Sequence, residues 1–108
     1  MADRGAGSGP GGDEAAPRIA DAPERGRYEA HLDGALAGVL DYVLRRDRII
    51  LVHTEVSPGF EGRGVAAAIT RFALDDARRL GRRVVVACPY VKRYLARHPG
   101  DMDIVVGG

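Results

Sequence analysis

The stretch Ile49–Val56, "IILVHTEV", is the most β-branched run of the chain, and it passes through "SPGFEGRG" into the best helical pattern. Alternation of branched and polar side chains over that length reads as a strand. Beyond the glycines, Val65, Ile69, Phe72, Ala73 and Leu80 fall on one helical stripe. Arg78 and Arg79 occupy the last turn and Gly81 follows it, as a helix C-terminus favours. "RVVVAC", Arg83 to Cys88, is then a short continuous apolar run, as expected of a central strand covered on both faces. Strand, turn, helix and strand in this order demand a crossover connection, and so a sheet with a helix laid across it.

The elements before and after complete the outline. Arg27 to Leu32 alternates, Asp33-Gly34 is a hairpin signal, and Ala35 to Leu44 is apolar on both faces. Leu36, Leu40, Tyr42 and Leu44 share one face of that strand, and Ala35, Ala37, Val39 and Val43 the other, with Asp41 as its exception. Arg45-Arg46-Asp47-Arg48 makes a polar turn into Ile49–Val56, where Ile49, Leu51, His53 and Glu55 fall on one face. Pro89 suits the first turn of a second helix that turns Tyr90, Val91, Tyr94 and Leu95 inward, and "DIVVGG" adds a short edge strand. The order β-β-β-α-β-α-(β) predicts an α+β fold, a mixed and mostly antiparallel sheet with helices packed on it. Asp76 falls close to the apolar stripe of the first helix, and the pattern alone gives it no role.

A chain of 108 residues supports one hydrophobic core. Residues 1–21 begin "MADRGAGSGPGGDEAAP", too poor in large apolar side chains to offset the entropy of ordering them, and read as a disordered tail before a domain at 22–108. Sixteen basic against fifteen acidic residues, a net charge of +1, argue against bulk attraction to nucleic acid or to an anionic membrane. The lone Cys88 has no disulfide partner within the chain, no apolar stretch approaches a membrane span, and no signal peptide opens the sequence, so a cytoplasmic location is expected. No cluster of His, Cys and Asp has ligand spacing, so no metal is expected.

The glycine turn is where chemistry enters. Gly62, Gly64 and the small Ala66 alternate where strand gives way to helix. Glycines admit positive φ and let a ligand approach the amides, and a helix N-terminus presents unpaired N–H groups that suit phosphate. Arg63 adds a cation there. A Walker loop would need lysine followed by serine or threonine, and a dinucleotide fold would place its turn after the first strand; neither applies. On spacing alone, connector and anion cradle remain equal readings.

The segment "VSPGFEGRGVAAAI", between an apolar strand and an amphipathic helix, resembles the acetyl-CoA signature of the GNAT superfamily of N-acetyltransferases. In that family Gln/Arg-x-x-Gly-x-Gly/Ala carries the cofactor pyrophosphate on backbone amides; Glu61, Gly62, Arg63, Gly64, Val65 and Ala66 fill it here. Glu61 departs from the pattern as an acid, and is expected to face solvent. The strand end at Val56 is where the resemblance places the pantetheine arm. His53-Thr54, Gly62 to Gly64, Cys88-Pro89-Tyr90-Val91 and His98-Pro99, in that order, resemble most a small truncated subgroup lacking the usual N-terminal helices. The resemblance implies acetyl-CoA as co-substrate and, as acceptor, a small amine or a peptide or protein amine. In larger relatives the missing helices help to form the acceptor groove; a chain this small leaves that groove open or completes it as a homodimer.

Acetyl transfer to an amine needs a proton acceptor; histidine side chains in general titrate at about 6.5, near working pH, so His53 suits it, with Glu55 on the same strand face to orient it. Cys88 would lie beside this strand as an acyl acceptor, an assistant to transfer, or a small buried core residue. Tyr94 matches, by resemblance, a tyrosine that donates to the departing thiolate; it equally reads as an aromatic packing the second helix. An N-acetyltransferase working by direct attack on the thioester is the leading reading. A coenzyme-A-binding module acting through a partner is the alternative from another class. A third, a module binding RNA or protein through Arg45, Arg46 and Arg48, is opposed by the near-neutral charge and the absence of interleaved aromatics.

Overall fold

The computed structural model describes residues 16–107. Its sheet has five strands in sequential order: β1 Arg18–Ala22, β2 Arg27–Leu32, β3 Ala35–Arg45, β4 Arg48–Val56 and β5 Arg83–Val86. The first four run antiparallel, and β5 joins β4 in parallel through the helix α1, Val65–Arg79. Helix α2, Pro89–Arg97, follows β5, and a 3₁₀ segment spans Pro99–Ile104. The mixed α+β sheet with helices packed on it is therefore as the crossover pattern requires.

Four details differ from the sequence expectation. The tail expected at residues 1–21 lies outside the described residues up to position 15, but from Arg18 onward the chain is β1, paired from Arg18↔His31 to Ala22↔Arg27. "RIADA" carries one large apolar side chain, so backbone pairing at the sheet edge, with little side-chain burial, is what orders it. The run Arg83–Cys88 is not a central strand: β5 stops at Val86 and is last in the sheet, with Val84 buried and Val85 and Val86 half-buried. "DIVVGG" supplies only a bridge, Val105 beside Val84, because the chain is still in the 3₁₀ turn through Ile104. The facing of β3 and β4 also changes. The register slips once at Ala37 in β3 and once at Val52 in β4, so that each strand reverses the faces of its residues at a bulge. Leu36 thereby parts from Leu40 and is exposed, and His53 and Glu55 part from the buried Ile49 and Leu51.

Both helices pack on one face of the sheet around a single core that includes Tyr28, Leu40, Leu51, Val65, Ile69, Leu74, Val91 and Leu95. Gly38 lets α1 descend onto β3: a Cβ there would stand 2.7 Å from Val65 Cγ1 and 3.0 Å from the Glu55 carbonyl. Asp76, unexplained by the helical stripe, is a buried acceptor for the Tyr28 hydroxyl at 2.8 Å and for the Arg79 guanidinium. Tyr28 packs in turn against Tyr42 and Phe72, with ring centroids 5.1 and 5.7 Å away. Burial, followed by the Asp76 bond, holds the Tyr28 phenol far above its usual range. From the middle and the last turn of α1, Arg71 forks onto Asp101 at 2.7 and 2.8 Å and Arg78 onto Asp103 at 2.7 and 3.0 Å, tying the 3₁₀ segment to the helix.

Tyr28→Phe leaves the buried Asp76 carboxylate short of a donor, and is expected to lower unfolding free energy by about 1–3 kcal/mol in urea titrations. On the opposite sheet face Glu29 accepts from Arg25 at 2.7 Å and from Arg27 at 2.9 Å. These bonds lower its carboxyl from 4.5 to about 2. A depressed folded-state pKa adds stability that is present above the unfolded value and lost as pH falls through the folded one. The stability gap between the wild type and Glu29→Gln should therefore close between about pH 4.5 and pH 2. An unchanged gap across that window would refute the role given to the two arginines.

Candidate active site

The site forms where β4 and β5 part. Their parallel pairing ends at Leu51↔Val86, followed by one further bond from Ala87 N–H to the Leu51 carbonyl at 2.9 Å. The bulge at Val52 changes the course of β4, while Pro89 turns the other chain into α2 with Cys88 as its extended N-cap. Among the described residues, β4 from Val52 to Val56 has no strand partner on its β5 side. Its main-chain groups there line the mouth of a fork.

The fork has two differently furnished sides. On the helix side, Thr54 Oγ1 and Cys88 Sγ lie 3.2 Å apart, and Cys88 is 2% exposed. On the open side, His53 Nε2 stands 3.7 Å from Glu55 Oε1, with side chains 58% and 69% exposed. His53 and Glu55 are thus brought together, and Cys88 is brought to the same fork behind them. Thr54 is the participant that sequence reasoning missed. Its signal is that it alone among His53, Thr54 and Glu55 turns to the helix side, which depends on the bulge.

The glycine turn closes the top of the fork. Ser57 N–H donates to the Ala37 carbonyl at 2.8 Å, and Phe60 N–H to Ser57 at 3.1 Å, fixing the first part of the loop on β3. Glu61 is exposed, as expected of an acid at this position, and its Oε1 accepts from Gly59 N–H at 2.9 Å. Gly62 and Gly64 both lie in the left-handed region, at φ +79° and +76°, and a Cβ on either would project into open space. Gly64 is the N-cap of α1; no side chain caps the helix and no acid lies in its first turn. Open amides, positive dipole and free volume together fit a pyrophosphate. Val65 contributes only main chain, since its side chain is buried against Gly38, and Ala66 is half-buried. Arg63 folds back from the turn, its guanidinium 5.8 Å from the Phe60 ring centroid and 3.7 Å from Asp33.

A cavity of about 200 Å³ lies between α1 and α2, lined by Ala67, Tyr90, Arg93, Tyr94, Arg97 and His98. Tyr94 is 9% exposed and stacks on His98 at 4.0 Å. Burial raises the Tyr90 phenol, beside which Arg93 sits at 5.9 Å. Tyr94 is therefore in the α2 wall of this cavity, which also carries two arginines, and no hydrogen bond or ring contact joins it to His53, Glu55 or Cys88 among the described residues. A larger cavity of about 550 Å³ lies beyond β5, but Lys92 is its one titratable lining residue, so it lacks the convergent polar groups of a reaction site. Among the described residues no group of His, Cys, Asp and Glu could hold a metal ion, and no helix is long and apolar enough to cross a membrane.

Residues 27–104 match the family described as GCN5-related N-acetyl-transferase. The chain belongs to that family. Among curated proteins, Protein NATD1 of Bos taurus is 32% identical over 84 residues, covering 76% of this chain and 74% of its own. Protein NATD1 of Mus musculus is 30% identical, covering 76% of each. Among solved structures, a GCN5-like protein of Staphylococcus aureus, determined in solution, superposes with a TM-score of 0.64. At 18% identity, over 84% of this chain and 89% of that one, it shares the GNAT fold.

Gly64→Ala puts a β-carbon on a left-handed residue with nothing to clash against. It should cost about 1–2 kcal/mol of stability in denaturant titration. Gly38→Ala, where Val65 and the β4 backbone block the new atom, should cost more and shift α1 from the sheet.

Proposed function

We propose that this chain transfers an acetyl group from acetyl-CoA to a primary amine by direct attack of the amine on the thioester. The observation that carries this reading is the fork: uncapped helix amides at its top, an unpaired strand edge along it, and a histidine–carboxylate pair on its open side. Acetyl-CoA supplies the activated acyl group. The amides of Gly62, Arg63, Gly64, Val65 and Ala66, with Glu61 turned away onto Gly59, receive the pyrophosphate, and the β4 edge to Val56 receives the pantetheine arm. Arg93 and Arg97 supply positive charge in the cavity beside α1.

His53, oriented by Glu55, takes the proton that the ammonium must lose before nitrogen can attack. The nitrogen–carbon bond forms and the carbon–sulfur bond breaks; coenzyme A leaves as its thiol with a proton from Tyr94, the second proton shed by the nitrogen returns through solvent to the Tyr94 phenolate, and His53 gives its proton to solvent. The burial of Cys88 and its contact with Thr54 support a wall of the fork rather than an acyl carrier. A binding module without catalysis is the second reading, favoured by one observation: the histidine pair is exposed on a sheet face that no described helix covers.

Thermal melts test the ligand. Acetyl-CoA at one hundred times its dissociation constant adds about 2.7 kcal/mol, which in a domain this small raises Tm by about 10 °C or more. No shift at millimolar acetyl-CoA would sink both readings. Thiol release over an amine panel then tests transfer, with His53→Ala expected to lower kcat by about a hundredfold or more while KM for acetyl-CoA stays near its wild-type value. A shift in Tm with no thiol release favours the binding module.

A further inference from the structure

The sheet face turned away from α1 and α2 has poles of opposite charge. Ile50 is the Cα partner of both Val43 in β3 and Val85 in β5, so the three form an apolar row across the sheet. Val43 is 42% exposed, and Ile50 and Val85 are half-buried. Toward the fork, this face carries His53, Glu55 and the half-buried Asp41, the Cα partner of both His53 and Arg27; Arg27 and Arg25 are both engaged by Glu29, so carboxylates outnumber guanidinium groups at this end. Toward the other end it opens into a cavity of about 580 Å³, lined by Leu44, Arg45, Arg46, Arg48, Ile50 and Val85. Three guanidinium groups and no carboxylate therefore surround an apolar floor, and all three arginines are exposed.

The hairpin tip that presents them is strained. Arg46 has φ +59°, a left-handed conformation that glycine would adopt without cost. The positive φ sets Arg46 at the tip of the turn between Arg45 and Arg48, so that all three guanidinium groups reach the same cavity.

We infer that this face holds the acetyl acceptor as an extended peptide, with its amine at His53 and an acidic side chain in the arginine-lined cavity. From Asp41 to Arg45 the strand advances four residues, about 13 Å at 3.3–3.4 Å each. An extended peptide covers that span in the same number of residues, which places the acid at the fourth or fifth position after the amine. Asp41 and Glu55 complement the approaching ammonium, the arginines complement the acid, and the valine–isoleucine row takes the side chains between. The assignment rests on the acetyl-transfer reading above, whose small-amine chemistry it extends to a sequence preference.

Two heptapeptides with a free N-terminal amine and apolar residues at positions two and three test it. One carries glutamates at positions four and five, the other lysines. The wild type is expected to acetylate the glutamate peptide with kcat/KM higher by about tenfold or more at low salt, the margin shrinking as salt is added. The triple variant Arg45→Glu, Arg46→Glu, Arg48→Glu should reverse the preference while turning over a small uncharged-tail amine at the wild-type rate. Arg46→Gly should raise Tm and weaken the preference. Equal turnover of both peptides by the wild type, or an unaltered preference in the triple variant, overturns the inference even if the small amine is acetylated.

Fluorescence anisotropy of labelled peptides, read with coenzyme A present, separates the two levels of the argument. Arginine-dependent binding of the glutamate peptide without turnover of any amine supports this face as a peptide site and refutes transfer. Binding of neither peptide, with a labelled single-stranded RNA bound instead through the same arginines, overturns the peptide assignment.

Discussion

Between Leu51 and His53, β4 holds one residue more than the strand it pairs with, and the whole candidate site depends on that surplus. A bulge leaves one residue out of the ladder and sharpens the local twist. Up to Leu51, β4 is an ordinary core strand, buried on the helix side and paired to β5. After Val52 its outer edge is free, its inward position passes to Thr54, and His53 with Glu55 turns to the open face. Without the bulge, His53 would follow Ile49 and Leu51 into the core, where a polar ring would need a buried partner.

The fork is held open by packing at a distance from it. Gly38 brings α1 close to β3, which sets the helix N-terminus and its glycine turn directly above the unpaired β4 edge. The Tyr28–Asp76 bond fixes the C-terminal part of α1 from the sheet side, and the Arg71–Asp101 and Arg78–Asp103 forks fix the 3₁₀ segment behind α2. The buried Tyr28–Asp76 bond and the part-buried bidentate Arg71–Asp101 pair are of a kind that specifies geometry more than it adds net stability, while the Arg78–Asp103 fork is exposed. Here they keep two helices and a turn in register with a strand end.

The two sheet faces then divide the chemistry. The helix side offers amides, arginines and a sheltered cavity suited to an anionic, elongated cofactor. The open side offers a solvated histidine–glutamate pair beside exposed apolar side chains, with arginines at its far end. On the acetyl-transfer reading proposed above, the two substrates approach from opposite faces and meet only where β4 and β5 diverge.

Much of this was legible in the sequence. The β-branched run, the glycine turn and the amphipathic stripe required a crossover onto a sheet, because each periodicity has one way to bury its apolar face. The positive-φ glycines of the turn and the exposed Glu61 were readable as well, because helix ends and glycines act locally, whereas spacing alone left connector and anion cradle as equal readings. What depended on neighbours was not readable. Residues Arg18–Ala22 have too little apolar pattern to announce β1, since pairing with β2 is what orders them. Asp76 looked misplaced until Tyr28, distant in sequence, arrived to bond it. The sequence by itself determined the order of elements from β2 to α2 and the glycine turn between β4 and α1, both consequences of short-range sterics and periodicity. Only the tertiary structure decided which face His53 presents and that Cys88 is sealed against Thr54, because one bulge reverses every side chain beyond it and its place is set by the strand alongside.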